Sequence, residues 1–210
     1  MAKSIHVSMP EFRIVVREDG ADIRIIDHCG FGREEGDNNL TPPIHNGSLS
    51  LTRREICHLS HGDPDSPMPY SLFFEGEHDG CAFHWGSIFA ESHGCIHLDK
   101  ADAKWLFEWA GRGADADPVA LEIVGPQPLP GVRVYRFGST TMLPSMVLTI
   151  NNLLAAEGRL HRAPDENYDE ETAEAVRDYQ VAHDLDPYDG WVGPLTAAKM
   201  GIAPLPHCPD

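Results

Sequence analysis

The spacing of apolar residues changes along the chain, and this change constrains the fold more than any other feature. In the first half apolar and polar residues alternate, as in residues 4–8, and Asp19-Gly20 forms a hairpin turn between residues 13–17 and 21–26. Alternation of this kind is typical of half-buried strands. From Pro144 onward apolar residues recur every three or four positions, which predicts helices. We therefore expect a mainly β domain followed by a small all-α domain.

The strand pattern continues beyond the hairpin. Residues 30–70 contain many Gly, Pro, Asn and Asp residues, which predicts short strands separated by loops. Residues 70–74 and 81–84 extend the β pattern, and residues 119–124 are typical of a closing strand. The first domain should therefore be built mainly from strands.

One helix is expected within this β region. Four apolar residues form a single helical stripe: Ala103, Leu106, Phe107 and Ala110. Asp99 is suited to cap the start of this helix, and Gly111 is suited to end it. The predicted helix thus follows directly on the strands that precede it.

Two helical stripes define the C-terminal region. One contains Val147, Ile150, Leu153 and Leu154, and the other contains Thr172, Ala175, Val176 and Tyr179. With the Gly and Pro residues between them, they predict three short helices over about 60 residues. The run 125–131, rich in Pro and Gly, is typical of a stiff linker. The expected domains are residues 1–125 and 144–205, with residues 126–143 as the linker.

A net charge of −17 limits the partners that the chain can bind. Such a field repels phosphate backbones and anionic lipid surfaces, so we expect neither nucleic acid nor membrane as a partner. No apolar run reaches the roughly 18 residues that span a bilayer, and the first ten residues lack the apolar segment of a signal peptide. The sequence predicts a soluble protein, expected to be a monomer, without a visible export signal.

The chemistry is concentrated in residues 82–98, which hold one cysteine, three histidines and two glycines. A thiol is mostly protonated at neutral pH, so a nucleophilic Cys95 needs a base, and His84 or His93 could serve. Gly94 permits a tight backbone whose N–H groups can face an oxyanion. Cysteine is also among the most buried residue types. Spacing alone does not separate a reactive Cys95 from a structural one.

A zinc site is an alternative use of the same residues. His93, Cys95 and His97 would share one face of a strand, and Cys81 or His84 could supply a fourth ligand. The sequence contains neither a CxxC nor an HExxH spacing, which are common in zinc sites. We therefore expect no metal and no other cofactor.

The run Ser92-His93-Gly94-Cys95-Ile96 resembles the [ST]-H-G-C-[IV] signature of the L,D-transpeptidase (YkuD-like) catalytic domain. The upstream His84-x-Gly86 is similar to a second element of that family, and Thr41-Pro42 lies where the family has its T-P-x-G element. The resemblance implies a YkuD-like β-sandwich with a helix after the cysteine motif.

The C-terminal region resembles the peptidoglycan-binding domain type 1. The similar positions include Leu153-Leu154, Gly158, Tyr179-Gln180, Asp189-Gly190 and Gly193. This resemblance implies a module that holds the protein on peptidoglycan, with its apolar positions forming the core of the module.

The first resemblance implies a role for each residue of the motif. Cys95 would be the nucleophile and His84 the base, oriented by the backbone carbonyl of Trp85. Support of the site and oxyanion N–H groups would come from Ser92, His93, Gly94 and Cys95. Contacts with the substrate are expected from Phe83, Gly86 and His97.

The implied function is transfer of an acyl group from a peptidoglycan tetrapeptide stem, through an acyl-enzyme, to an acceptor amine. His97 stands where the family commonly has arginine or asparagine, and the short spacing from His84 to Cys95 implies a trimmed loop over the cleft. The alternatives are an L,D-carboxypeptidase or endopeptidase, including a secreted antibacterial effector, and a wall-binding protein without turnover. Each would act in the periplasm or cell wall.

The five cysteines are too few and too widely spaced for a disulfide scaffold. If the protein is exported, two disulfides could form among Cys29, Cys57, Cys81 and Cys208. Cys95 would then remain a thiol.

Overall fold

The computed structural model describes residues 1–32, 40–60, 66–75, 80–111, 118–128 and 131–209, apart from the side chains of residues 46 and 50–52. The chain forms two compact units. Unit 1 comprises residues 1–132 and 206–210, and unit 2 comprises residues 133–205. The segment 126–143 is thus shared between the units, and the domain boundaries expected from the sequence stay a prediction.

Unit 1 contains an eight-stranded sheet. Its strands are β1 (Lys3–Ser8), β2 (Arg13–Glu18), β3 (Ala21–Ile26), β4 (Ile44–Leu59), β5 (Pro67–Phe74), β6 (Ala82–Trp85), β7 (Ile96–Leu98) and β8 (Val119–Val124). Their order in the sheet is β3-β2-β1-β8-β4-β5-β6-β7. The β1–β8 and β6–β7 pairs are parallel, and the other pairs are antiparallel. The predicted mainly β fold class is confirmed.

Side chains from both halves of this sheet build one hydrophobic core. Val16 of β2 and Phe74 of β5 belong to it, together with Leu106 of the helix α1 (Lys100–Trp109). Burial of each such side chain stabilises the fold by about 1.5–3 kcal/mol. The alternation of apolar and polar residues along the strands therefore gives the sheet a face that packs on this core.

Strand β4 differs from the sequence prediction. Residues 44–59 form a single strand of 16 residues rather than short strands separated by loops, so that prediction is wrong here. β4 pairs with both β8 and β5, and its register shifts within each pairing. Irregular register lets a long strand bend and serve both halves of a sheet. The local content of Gly and Pro does not reveal such long-range pairing.

Helix α1 begins and ends where the sequence predicts. The carboxylate of Asp99 accepts a hydrogen bond of 2.7 Å from the Asp102 N–H, and Gly111 has a φ of +90° just beyond the helix. The predicted apolar stripe of α1 is buried. The helix packs against β5 and β6, and it thereby supports the strand that carries His84.

Unit 2 contains three helices: α2 (Pro144–Ala156), α3 (Glu170–Ala182) and α4 (Pro194–Lys199). The members of the two predicted stripes are buried, except for the half-buried Leu153. A buried polar contact joins α2 to α3, because the Thr172 hydroxyl donates to Asn151 Oδ1 at 2.9 Å. The predicted three-helix module is confirmed. No helix in the described part of the chain has the length and apolarity to cross a membrane.

The structure contains one disulfide among the described residues, where the sequence allowed two. Cys57 of β4 bonds to Cys208, and the residues after 205 thereby belong to unit 1. Cys29, Cys81 and Cys95 are thiols. Cys29 and Cys81 pack with the hydrophobic core, where a thiol acts as a small apolar group. The second disulfide allowed by the sequence is therefore wrong.

Loss of the Cys57–Cys208 disulfide should destabilise unit 1. The bond joins positions 151 residues apart, and its removal by Cys208→Ser frees the unfolded chain to sample more conformations. We expect the free energy of unfolding to fall by about 2–4 kcal/mol. Urea unfolding of both proteins, with and without a reductant, measures this change. A reductant should destabilise the wild type only, and equal sensitivity of the two proteins would contradict the prediction.

Candidate active site

Two short parallel strands bring the predicted catalytic residues together. β6 and β7 pair with His84 opposite His97, and Cys95 directly precedes β7. Because side chains two positions apart on a strand share a face, Cys95 and His97 project on the same side as His84. By this register Cys95 precedes by two residues the position that lies opposite His84.

The imidazole of His84 is buried and oriented by the backbone. Its Nδ1 lies 2.9 Å from the carbonyl oxygen of Trp85. An Nδ1–H donor at this position leaves Nε2 as the acceptor. Burial and, to a smaller extent, the neighbouring His97 lower the pKa of His84 to about 3. His84 is therefore a neutral base at physiological pH.

The Cys95 thiol packs against a small apolar cluster formed by Met68, Phe73 and Ala82. Burial raises the pKa of Cys95 to about 12, with a smaller contribution from Cys81. A backbone hydrogen bond from Ala82 acts in the opposite direction. The thiol and the imidazole are thus both neutral in the site without substrate, so they do not form a thiolate–imidazolium ion pair there.

The turn before Cys95 is held by the hydroxyl of Ser92. This hydroxyl donates to the Cys95 carbonyl at 2.6 Å and accepts from the Gly94 N–H at 3.2 Å. Gly94 has a φ of +105°, a conformation that favours glycine. The Gly94 N–H is therefore engaged inside the turn, which leaves the Cys95 N–H as the better placed donor for an oxyanion. The side chain of His93 is exposed.

A second segment, residues 30–32, supports the site and was not identified from the sequence. Gly30 exchanges two backbone hydrogen bonds with His97, of 2.8 and 3.0 Å, and the Phe31 carbonyl accepts the Ser92 N–H at 3.1 Å. Thr41, which belongs to the predicted Thr41-Pro42 element, accepts the Gly32 N–H at 2.8 Å. The run Gly30-Phe31-Gly32 was the available signal, since flanking glycines permit close backbone pairing.

His97 is fixed in contact with His84. The two ring centroids lie 4.8 Å apart with an interplanar angle of 75°, and His97 Nδ1 lies 2.9 Å from the Ser87 carbonyl oxygen. Burial lowers the pKa of His97 as well, although hydrogen bonds to the backbone of Ser87 and Ala90 oppose the shift. A Cβ on Gly86 would overlap the His97 ring. Gly86 thus makes room for the imidazole of His97.

The predicted substrate contact Phe83 lies in the hydrophobic core. The Phe83 side chain is only 1% exposed, and its ring packs against Phe74 with the centroids 5.3 Å apart. It points into the core because its neighbours along β6 point to the other face. The Trp85 ring is also buried and lies against His207. Its carbonyl oxygen, not its side chain, reaches His84.

The zinc alternative has no support from the geometry. Across the described residues, no group of three or more His, Cys, Asp or Glu side chains is arranged to hold a metal ion. His84 and His97 each place Nδ1 near a backbone carbonyl, and His93 projects to the surface.

The reactivity of the Cys95 thiol should rise steeply with pH. Because burial raises its pKa to about 12, the thiolate fraction increases about tenfold per pH unit between pH 7 and 10. Iodoacetamide labelling, followed by mass spectrometry of the Cys95 peptide, measures the rate. His97→Arg should shift the profile to lower pH, because a guanidinium stabilises the thiolate. A wild-type rate that is constant above pH 7 would refute the expectation.

Gly86 and His97 should behave as a coupled pair. Gly86→Ala forces the His97 ring to move and should lower the stability of unit 1 by about 1–3 kcal/mol. In a His97→Ala background the same substitution should cost much less, because the ring is gone. Thermal unfolding of the four proteins of the cycle gives the coupling energy. Equal costs in both backgrounds would show that the overlap does not matter.

Comparison with known proteins places the chain in a family. A model of the L,D-transpeptidase catalytic domain (YkuD) matches residues 2–121. A model of a putative peptidoglycan binding domain matches residues 144–200. A search of curated proteins finds no match.

Similar solved structures include three L,D-transpeptidases. The one from Stackebrandtia nassauensis is 23% identical, with a TM-score of 0.47, over 61% of this chain and 58% of that chain. The one from Xylanimonas cellulosilytica is 22% identical, with a TM-score of 0.42, over 57% of this chain and 60% of that chain. L,D-transpeptidase 1 of Mycobacterium tuberculosis is 22% identical, with a TM-score of 0.41, over 59% and 62%. This chain therefore spans less than two thirds of each.

The two family models match separate segments in the order that the sequence motifs predict. The first covers the strands and the turn that carry His84 and Cys95, and the second covers helices α2 to α4. Since the first model matches more than half of the residues, the chain belongs to the L,D-transpeptidase (YkuD) catalytic-domain family, with a peptidoglycan-binding domain following the catalytic domain.

Proposed function

We propose that the protein is a cysteine-dependent L,D-transpeptidase that acts on tetrapeptide stems of peptidoglycan through an acyl-enzyme. The observation that carries the proposal is the geometry of His84, whose Nδ1 faces the Trp85 carbonyl and whose Nε2 remains to accept a proton. The register of β6 and β7 sets this imidazole on the face that Cys95 shares. A thiol and a base on one face are what nucleophilic acyl transfer requires.

The first half of the reaction forms a thioester. Cys95 Sγ attacks the stem carbonyl that follows the L-centre, and its proton passes to His84 Nε2. Because the free site holds both groups neutral, this transfer accompanies the attack. The oxyanion is stabilised by the Cys95 N–H. The C–N bond to the terminal D-residue then breaks, and the leaving amine takes the proton from His84.

The second half releases the acyl group. An acceptor amine attacks the thioester carbonyl and gives a proton to His84, and the C–S bond breaks as Cys95 Sγ takes the proton back. The low pKa of His84 suits the steps in which it acts as an acid, because a weakly basic imidazole gives up its proton readily. The product is a new amide between stem and acceptor.

The environment of the protein follows from the same reasoning. The matched peptidoglycan-binding domain supports the cell wall as its partner, and the Cys57–Cys208 disulfide supports an oxidising compartment. We therefore place its action in the periplasm or cell wall. The remaining thiols are compatible with this placement, because Cys29 and Cys81 pack with the core and Cys95 is the nucleophile.

Hydrolysis is the second candidate. The loop between His84 and Cys95 is short, and Ile88 and Phe89 in it are buried, so this loop packs down on unit 1. His97, two residues after Cys95, brings no permanent charge to hold an acceptor. Water could then replace the amine, which would make the protein an L,D-carboxypeptidase or endopeptidase.

Incubation with a purified muropeptide that carries a tetrapeptide stem tests the proposal. Both activities release the terminal D-residue; with an added acceptor amine, a transpeptidase also yields the cross-linked product, whereas a hydrolase yields the tripeptide stem. Liquid chromatography separates the products, and mass spectrometry identifies them by their masses. Absence of both the cross-linked product and the tripeptide stem, from protein that is folded, would reject the function.

A further inference from the structure

The C-terminal unit presents an exposed tryptophan on a rigid backbone. The Trp191 side chain is 43% exposed, although the backbone around it is fully engaged. The backbone N–H of Trp191 donates to Asp189 Oδ1, and the Trp191 carbonyl oxygen accepts from the buried side-chain amide of Gln180. Both distances are 2.9 Å. The following Val192 N–H donates to the Tyr135 carbonyl at 2.9 Å. The ring is therefore held in place without being covered by the core.

Arg136 completes this feature from a neighbouring segment. The antiparallel bridge between Tyr135 and Val192 sets Arg136 beside Trp191, and the guanidinium carbon lies 4.1 Å from the ring centroid. A guanidinium that stacks by its face keeps its in-plane N–H groups available as donors. Across the described part of the chain, no carboxylate forms an ion pair with Arg136. Phe137, the next residue along the chain, is also exposed.

This contact forms a surface of defined chemistry, the Trp191 surface, made of Trp191 and Arg136. An aromatic face attracts the C–H groups of a sugar ring, because its π-system carries partial negative charge. A guanidinium binds carboxylates through paired hydrogen bonds. Peptidoglycan offers both groups, in its glycan rings and in the free carboxylates of its stem peptides.

We infer that the Trp191 surface is where unit 2 binds peptidoglycan, with a sugar ring on the indole face that Arg136 leaves open and a stem carboxylate on Arg136. This inference rests on the proposed function, which gives unit 2 a wall ligand. The negative net charge of the whole chain supports the inference, because an anionic ligand can approach such a chain only where a local cation attracts it. The rigid backbone lowers the ordering cost of binding.

Sedimentation of the full-length protein with purified, insoluble peptidoglycan tests the inference. A Cys95→Ser background stops turnover during the measurement. Trp191→Ala should weaken binding at least roughly tenfold, as expected for an aromatic residue at the centre of a binding surface. Trp191→Phe keeps an aromatic face and should retain most of the binding. Arg136→Gln should weaken binding to intact peptidoglycan and leave binding to glycan stripped of its peptides unchanged.

Val181→Ala is the matched control, because Val181 is an exposed apolar residue of the same unit, 57% exposed on α3. It should bind as the parent does, and all variants should melt at the temperature of the parent. If Trp191→Ala binds as tightly as the parent, the Trp191 surface is not the binding site and the inference falls while the proposed function stands. If the parent itself does not sediment with peptidoglycan, the wall-binding role and the inference are both rejected.

Discussion

Cys95→Ser should abolish formation of a covalent adduct with an acylating β-lactam and lower turnover of a tetrapeptide stem by at least roughly a thousandfold. A serine hydroxyl is a much weaker acid than a thiol. The hydroxyl is also a weaker nucleophile, so the neutral imidazole of His84 activates it less than it activates the Cys95 thiol. Intact-protein mass spectrometry detects the adduct on the wild type, and chromatography of the stem peptides gives the rate.

The matched control for this result is Cys81→Ser. Cys81 is also a thiol and also partly buried, but it lies outside the Ser92 to Ile96 motif. This variant should take up one β-lactam, as the wild type does, and the adduct should map to the Cys95 peptide. Labelling of Cys95→Ser, or a wild-type adduct on any other residue, would remove Cys95 as the nucleophile.

His84→Gln should lower turnover by roughly 10²- to 10⁴-fold, the usual contribution of a general base. Glutamine has a similar length and stays polar, but its amide has no basic nitrogen, so the variant removes the proton acceptor with little change in size. Single-turnover acylation by a tetrapeptide stem measures the effect. Unchanged acylation would assign the base to another group.

The pH dependence provides a second readout for His84. Burial keeps the folded imidazole neutral down to a pH near 3, whereas the unfolded imidazole takes up a proton near pH 6.5. Between these values the unfolded state binds more protons, so the stability of unit 1 falls as the pH falls. His84→Gln should remove up to about 1.4 kcal/mol per pH unit from that slope. A His84 resonance that titrates near pH 6.5 in the folded protein would contradict this.

Local features of the sequence predicted local features of the structure. Asp99 and Gly111 mark the ends of α1 because capping depends on a few neighbouring residues. The stripes of α2 and α3 were predicted from the helical repeat, and burial followed it. The sequence did not predict the long strand β4, because the composition of residues 44–59 does not show that they pair with two distant strands.

The candidate site shows the same division. The spacing of residues 82–98 brought a cysteine and three histidines to attention, and it left His84 and His93 as equal candidates for the base. The parallel register of β6 and β7 sets His84 beside His97, whereas His93 projects to the surface. Register depends on two strands, so one strand alone does not predict it. The alternation of side chains along β6 turns Phe83, next to His84, into the core.

By itself the sequence determined the order of a β domain and a three-helix domain and the motif around Cys95, because periodicity, caps and short motifs act over a few residues. Only the tertiary structure decided which thiols pair, which histidine rings touch and which aromatic ring stays exposed. Cys57 meets Cys208 across 151 positions, and Trp191 meets Arg136 through a bridge between distant segments. Such contacts form only when distant segments of the chain come together in the fold, so no local sequence pattern predicts them.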